Sequence, residues 1–499
     1  MAYNGVNLGT ATNVPSTGGS QQYSPTLVSG ENIYTITPKL VGAQGNTTVS
    51  TNYSCPLEAK IVKVDSDLTE TNLTIDQTKV YLVQSNGKLT ADNLTNSDPS
   101  RLIIEDGGQL VTSSTASGTM KKEVKSYNAT GSNGWYFIAS PMVENTLISS
   151  VNNLIDVDAS LFYYDEPSHY WKNKNDHSDF THLSNGQGYL YGNQSTVNLE
   201  FTGSLQPSGT SVTLSDLSYT EDNNPLPGWH LVGNPFPCKA TINRSYYTIN
   251  GRTLVPTTGG NINPCTGVMV KVSADDNDVI FTRATESGDS QSQQIAMTVA
   301  PAATNRGDEA VVEDNAIVSF NEGTELEKFV FNADNASLYI PQDNKDYAIA
   351  VSDMQGEMPV NFRAAQNGSY TLNFKVENVE FTYLHLIDNM TGNDVDLLET
   401  PSYTFNASMT DYESRFRLLF SNEENPDVFN GSMFAYFNGN EWVIANESNG
   451  TVQLLDMMGH VLVSVDGVRT LSTSGLSAGV YVLRLIDGDN VKMQKIVVK

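Results

Sequence analysis

The chain is short of positive charge, of cysteine and of long apolar runs, and each shortage removes a class of function. Lys and Arg number 28 against 56 Asp and Glu, a formal net charge of −28 with a sequence pI near 4.4. Such a surface repels phosphate backbones and anionic headgroups, so no nucleic acid and no membrane surface is an expected partner. No apolar run reaches the roughly 18 residues of a membrane-spanning helix, so no membrane span is expected either. The three cysteines, Cys55, Cys238 and Cys265, are too few for a disulfide framework, and no C-x-x-C pair offers a zinc site. H-E-x-x-H and G-x-x-x-x-G-K-[ST] are missing, and GQGYLYG at 186–192 lacks dinucleotide spacing. No cofactor and no metal is implied. The opening MAYNGVNLGT lacks a basic n-region and an apolar h-region, so the expectation is a signal already removed from a longer chain.

What fills the chain is Ser, Thr, Asn and Gly around short apolar runs, with no sustained helical period. That pattern predicts an all-β, multi-domain protein: β-sandwich modules, Ig-like or jelly-roll-like, in series. Residues 1–30 read as a flexible leader and 31–130 as a β-rich domain. In that domain TKVYLVQSNGKLTADNL and SRLIIEDGGQLVTSS share one form, an apolar run followed by GK or GGQ. Stacked turns of a short β-solenoid with glycines at the corners fit this form, and a plain sandwich competes.

A second repeat follows. SNGWYFIASPM (132–142) returns as LPGWHLVGNPF (226–236), with Trp135 and Trp229 standing 94 residues apart. One β module each is expected at 131–205 and 206–290, with both tryptophans in a core. Cys238 and Cys265 lie close enough in the second module for two readings, a disulfide across neighbouring strands or two buried free thiols. Residues 285–315 read as a linker or a first edge strand, and 291–425 as an antiparallel sandwich built on runs such as DYAIAV, YTLNFKV and SRFRLLF.

The tail, 430–499, contains GLSAG, which fits the nucleophile elbow G-x-S-x-G with Ser477 as nucleophile. An elbow needs a strand before it and a helix after it. Here an apolar strand, VYVLRLI, follows, and His460 supplies no recognisable base, so Ser477 reads as a turn residue and the protein as no enzyme. Asp456 and Gly459 sit in LLDMMGHVL, Gly479 and Tyr481 in LSAGVYVLRL, and Lys495 in QKIVVK. This order resembles the type A C-terminal sorting domain of the type IX, or Por, secretion system of Bacteroidota, with His460 where the family has Arg and NPD where Pro-x-Pro is common. The resemblance implies an Ig-like fold, recognition by the type IX machinery, export through the periplasm, and an extracellular or surface-attached destination. Gly479 is expected to occupy a tight turn with φ > 0. Residues 381–420 and the two Gly-Trp segments resemble modules of large secreted proteins that carry such tails.

Elsewhere chemistry is sparse. The densest cluster, FYYDEPSHYWKNKNDHSDFTH at 162–182, offers Tyr164, Tyr170 and Trp171 as a stacking face for a glycan, beside His169, His177 and His182. A hairpin with inward aromatics and a polar tip is the competing reading. DVDAS (156–160) and SADDNDV (273–279) read as solvated turns, with Ca²⁺ the alternative, although neither has EF-hand spacing. The expected role is adhesion, glycan binding or structural display on a host or other surface ligand. The alternatives are a non-catalytic piece of a secreted hydrolase and a self-assembling surface protein.

Overall fold

The computed structural model describes residues 27–36, 57–127, 134–209, 211–222, 224–285, 292–302, 311–343, 345–422, 434–437, 441–444, 450–477, 479–488 and 490–498, with two short strands at Ala2–Tyr3 and Val6–Asn7. Among the described residues the helical elements are two 3-10 turns, Pro99–Arg101 and Glu166–Ser168; the fold is all-β. Two compact units divide the chain. One comprises Met1–Asn243, Thr248–Gly251 and Gly260–Asp289, the other Arg244–Tyr247, Arg252–Gly259 and Ser290–Lys499.

In the first unit, Leu57–Val64, Lys79–Val83 and Leu102–Ile104 stack in parallel. A second parallel stack is made by Asp67–Thr74, Lys88–Thr95 and Gln109–Thr112. Tyr81 lies beside Leu102 and Lys88 beside Gln109, so the sequence repeat is the register of a short solenoid. Asn93 Nδ2 donates to Asn72 Oδ1 at 2.9 Å, 21 residues back and one coil away. Gly87 turns a corner where a Cβ would meet the Val64 carbonyl oxygen at 2.1 Å. Val83, Leu89, Leu102, Ile104 and Leu110 are buried in the core, where each gains about 1.5–3 kcal/mol. Ala2–Tyr3 pairs with Val6–Asn7 and with Gly30–Ile36, so the leader is not wholly loose.

The 131–205 module is not a body of its own. Its last strand, Val197–Leu205, pairs along its whole length with Ala116–Val124 at the end of the solenoid, and Leu199, Phe201 and Leu205 enter the same core as Leu102. The two Gly-Trp copies also lean on each other. Tyr136–Ala139 pairs with Gly188–Asn193 and Trp229–Gly233 with Gly267–Lys271, and bridges Ile138–Thr266 and Gln187–Val232 join the copies. Gly188–Asn193 is buried at every position, so this strand is covered on both faces. A single small sheet cannot bury two apolar faces alone, which is why the Gly-Trp strands of both copies meet in the first unit, while Arg244–Tyr247 and Arg252–Gly259 of the second copy belong to the other.

Trp229 is 1% exposed, but Trp135 is half-buried and stacks on Tyr127 at 6.5 Å between ring centroids. Cys238 and Cys265 are buried free thiols, so the disulfide reading is replaced by its alternative. Cys238 Sγ donates to Ser208 Oγ at 3.5 Å while Cys265 belongs to the solenoid core, and their different surroundings keep them apart. Burial pushes the Cys238 thiol up to about 11 and the Cys265 thiol higher still, so both stay protonated. Cys55 lies outside the described residues.

In the second unit an eleven-stranded sheet runs through residues 294–421. Gln294–Pro301, expected as linker or edge, is an interior strand, flanked by Asp314–Ser319 and Gly368–Glu377. Ile295, Val318, Leu372, Leu386, Phe416 and Leu418 share one core. An ion pair is buried in this unit. Arg415 donates from Nε and Nη2 to both carboxylate oxygens of Asp388, at 3.0 and 2.8 Å, and from Nη1 to the Asn406 carbonyl at 2.7 Å. Tyr403 adds a hydroxyl bond to Asp388 at 2.9 Å. These partners offset the desolvation cost that a buried ion pair carries.

Candidate functional site

The aromatic cluster is a hairpin of Ala159–Asp165 and Tyr170–Asn173 joined by the Glu166–Ser168 turn. Its register sets Tyr164 opposite Trp171 and Asp165 opposite Tyr170. Neighbouring residues of a strand point to opposite faces, so Tyr170 cannot share a platform with Tyr164 and Trp171. Tyr164 is buried, its ring edge-on to Trp171 at 5.2 Å, and burial lifts its phenol to about 12. Tyr170 is 61% exposed and lies against the His169 ring at 4.6 Å. The three expected ligand residues therefore form no single stacking face. Among the described residues no group of three His, Cys, Asp or Glu side chains is arranged to hold a metal.

What organises the hairpin is Glu166, a residue that sequence reasoning passed over as one charge in DEPSHY. It is 2% exposed. Its Oε1 accepts from the N–H of Gly228 at 2.8 Å, the N–H of Thr220 at 2.9 Å and Asn224 Nδ2 at 3.2 Å, while its Oε2 accepts from Thr220 Oγ1 at 3.0 Å. Burial alone would raise the carboxyl, but the Gly228 N–H, the Ser218 hydroxyl and the two Thr220 donors outweigh it and hold the pKa below the usual range. Glu166 thereby ties the first Gly-Trp copy to the loop that leads into Trp229. Nearby, His230 bonds to the Ser218 carbonyl at 2.8 Å, and burial lowers its pKa.

Glu166→Gln puts an amide N–H₂ among donors and is expected to lower stability by about 2–3 kcal/mol at pH 7. A depressed carboxyl pKa stabilises above the unfolded value, about 4.3, and that stability is lost as pH falls through the folded value. The melting-temperature gap between wild type and Glu166→Gln should accordingly be widest near neutrality and narrow below about pH 4.

The tail folds around Phe434, Trp442, Ile444, Val452, Leu454, Leu483, Leu485 and Ile496. One sheet holds Ala435–Phe437, Trp442–Ile444 and Thr470–Leu471; the other orders Val461–Asp466, Thr451–Leu455, Gly479–Asp487 and Asn490–Val498. Gln494, also missed from sequence, is buried in the last strand. Its Oε1 accepts from the N–H of Phe434 at 2.8 Å and of Ala435 at 2.7 Å, and its Nε2 donates to the Ala435 carbonyl. One side chain satisfies three backbone groups of the other sheet.

The motif residues gather at one end of the four-stranded sheet. Leu455 lies opposite Val482, and Val482 opposite Lys495, which brings the Asp456 turn beside the start of the Gly479–Asp487 strand. Asp456 accepts from the N–H groups of Met458 and His460, both at 2.9 Å, and from His460 Nδ1 at 2.8 Å. The backbone N–H of His460, then its ring, lowers the Asp456 pKa. His460 thus pairs with Asp456 although Arg is the family residue here. Tyr481 donates its hydroxyl to the Ser477 carbonyl at 2.8 Å, and a doubly paired strand, not a helix, follows the GLSAG turn.

The positive φ expected at Gly479 is found instead at Gly475, at 90° in the same GLSAG turn, and at Gly459, at 88° in the Asp456 turn. A Cβ at Gly479 would make only ordinary contacts, 3.7 Å from the Tyr481 ring. Gly459→Ala is therefore expected to cost about 1–2 kcal/mol and Gly479→Ala nearly nothing, as denaturant melts of the purified tail-bearing chain would show.

Residues 438–499 match the family described as the secretion system C-terminal sorting domain. No curated protein matches the chain. The chain carries a type IX sorting domain, and its destination is the cell surface or the extracellular space.

Proposed function

We propose that this exported chain is a non-catalytic display protein, whose β units present binding surfaces outside the cell. The folded sorting domain at its C-terminal end carries this reading, because it delivers everything before it to the surface or beyond. Support comes from how reactive groups are used. Glu166 is saturated by donors from Ser218, Thr220, Asn224 and Gly228, both described thiols are buried and protonated, and Ser477 lies in a turn ahead of a strand. Adhesion through these surfaces is preferred to a glycan platform, since Tyr170 points away from Tyr164 and Trp171. The sorting machinery is expected to read the sheet end where Asp456 and Tyr481 lie, around which Met457, Val461, Leu462 and the 82% exposed Met458 leave an apolar rim.

The test pairs two assays on the purified chain. Beads coated with it are scored for retention on polysaccharide- and protein-coated surfaces, and the free chain is incubated with oligosaccharides and peptides whose products are weighed by mass spectrometry. Retention without turnover is expected. Turnover that co-purifies with the chain would overturn the non-catalytic reading.

A further inference from the structure

The strand Val197–Leu205 is the terminal strand of its eight-stranded sheet. Its free edge is occupied at both ends and open between them. At one end Asn153 Nδ2 donates to the Asn198 carbonyl at 2.8 Å, and the Glu200 N–H donates to the Asn152 carbonyl at 3.3 Å. At the other, the Val143 N–H donates to the Ser204 carbonyl at 2.8 Å, and the Ser204 N–H donates to Glu144 Oε2 at 3.3 Å. Residues 198, 200 and 204 therefore turn their backbone groups outward. In an antiparallel pair this direction alternates strictly, so Thr202 turns its N–H and C=O outward as well. The side chains agree, for the Thr202 and Thr119 hydroxyls meet at 3.1 Å, as in a close, non-hydrogen-bonded pair. Among the described residues nothing pairs with the Thr202 backbone on that edge.

A cleft of about 570 Å³ opens at this place. Glu144 and Glu200 line it, Leu147 and Val151 stand exposed beside them, and the lining holds no lysine, arginine, histidine or aromatic ring. A gap from Glu200 to Ser204 measures roughly 13 Å along the strand, room for about three extended residues. An outward N–H and C=O on one residue is what a single residue of an added antiparallel strand satisfies with two bonds. Two carboxylates without a cation call for positive charge, and the exposed leucine and valine suit the aliphatic stem of a lysine or arginine. A sugar would lack the aromatic face it usually stacks on.

We infer that the cleft over Thr202 takes a short extended peptide bearing lysine or arginine, added as a strand to the Val197–Leu205 edge. This is a peptide-docking site distinct from the aromatic hairpin and from the sorting domain. It holds whether or not the chain as a whole is adhesive.

The probe is a displayed library of random pentapeptides panned on the purified full chain. Enriched peptides should carry Lys or Arg and bind more weakly as sodium chloride rises from low to high concentration. Two variants locate the site. Glu144→Gln with Glu200→Gln removes the charge, and Thr202→Pro removes the outward N–H together with the hydroxyl contact to Thr119, a change that a free edge tolerates. Each should weaken the selected peptides at least tenfold at an unchanged melting temperature. If Thr202→Pro melts early, the glutamine pair decides alone. No enriched peptide, peptides without a basic residue, or binding indifferent to the glutamine pair would each overturn the inference.

Discussion

Deletion of residues 438–499 is expected to leave the protein in the periplasm of its host, with surface and medium fractions falling to background. The expectation follows from the sorting domain that this segment matches and from the way it folds. Trp442, Leu454, Leu483 and Ile496 close a core of their own, so the segment is lost as one recognisable body. Fractionation and immunoblotting of cells expressing the full and truncated chains measure the effect. A truncated chain that still reached the surface would show that another segment directs export. Gln494→Leu offers a gentler version. It strands two backbone N–H groups and one carbonyl in the domain's interior, at about 1–3 kcal/mol each.

Trp229→Ala is expected to destabilise the first unit by about 3–5 kcal/mol, a large part of the roughly 5–15 kcal/mol that holds a domain folded. The side chain is fully buried, with Lys271 Nζ 5.6 Å from the ring centroid on the paired strand, and the surrounding sheet can only partly collapse into the space it leaves. Trp171→Ala should cost less, because Trp171 is only half-buried, with its ring edge-on to Tyr164, whereas Trp229 is 1% exposed. The loss should nonetheless be visible in a melting curve, whereas an exposed tryptophan on a polar hairpin tip would leave the curve unmoved. Equal melting temperatures for wild type and Trp229→Ala would contradict the packing described.

Much of the fold was legible because it rests on short-range chemistry. Alternating apolar runs punctuated by Gly, Asn and Pro specify strands and turns locally, and two solenoid coils repeat because each must present the same groups to the next. The sorting motif could be read for a similar reason. Asp456 and Gly459 build a turn from bonds that span four residues, so their spacing in the chain is already their geometry. By contrast, nothing local distinguishes Glu166 from a solvated glutamate or Gln494 from an exposed glutamine. Their partners lie more than fifty residues away. Arg415 and Asp388 stand 27 residues apart, and Asp388 falls in register with the buried Leu384 and Leu386, a carboxylate in an apolar row whose partner shows only once the fold has closed.

Sequence by itself determined that this protein is all-β, that its first coils repeat, and that its end is a sorting domain for the type IX route. Only the tertiary structure decided that the Gly-Trp strands of both copies lie in one unit, that Cys238 and Cys265 remain thiols, and that Tyr164, Tyr170 and Trp171 share no face. The division has one physical cause. Strand, turn and motif are fixed by neighbours a few residues apart, whereas burial and facing depend on which apolar surfaces meet, and a sheet with two apolar faces takes whatever second layer the chain brings to it.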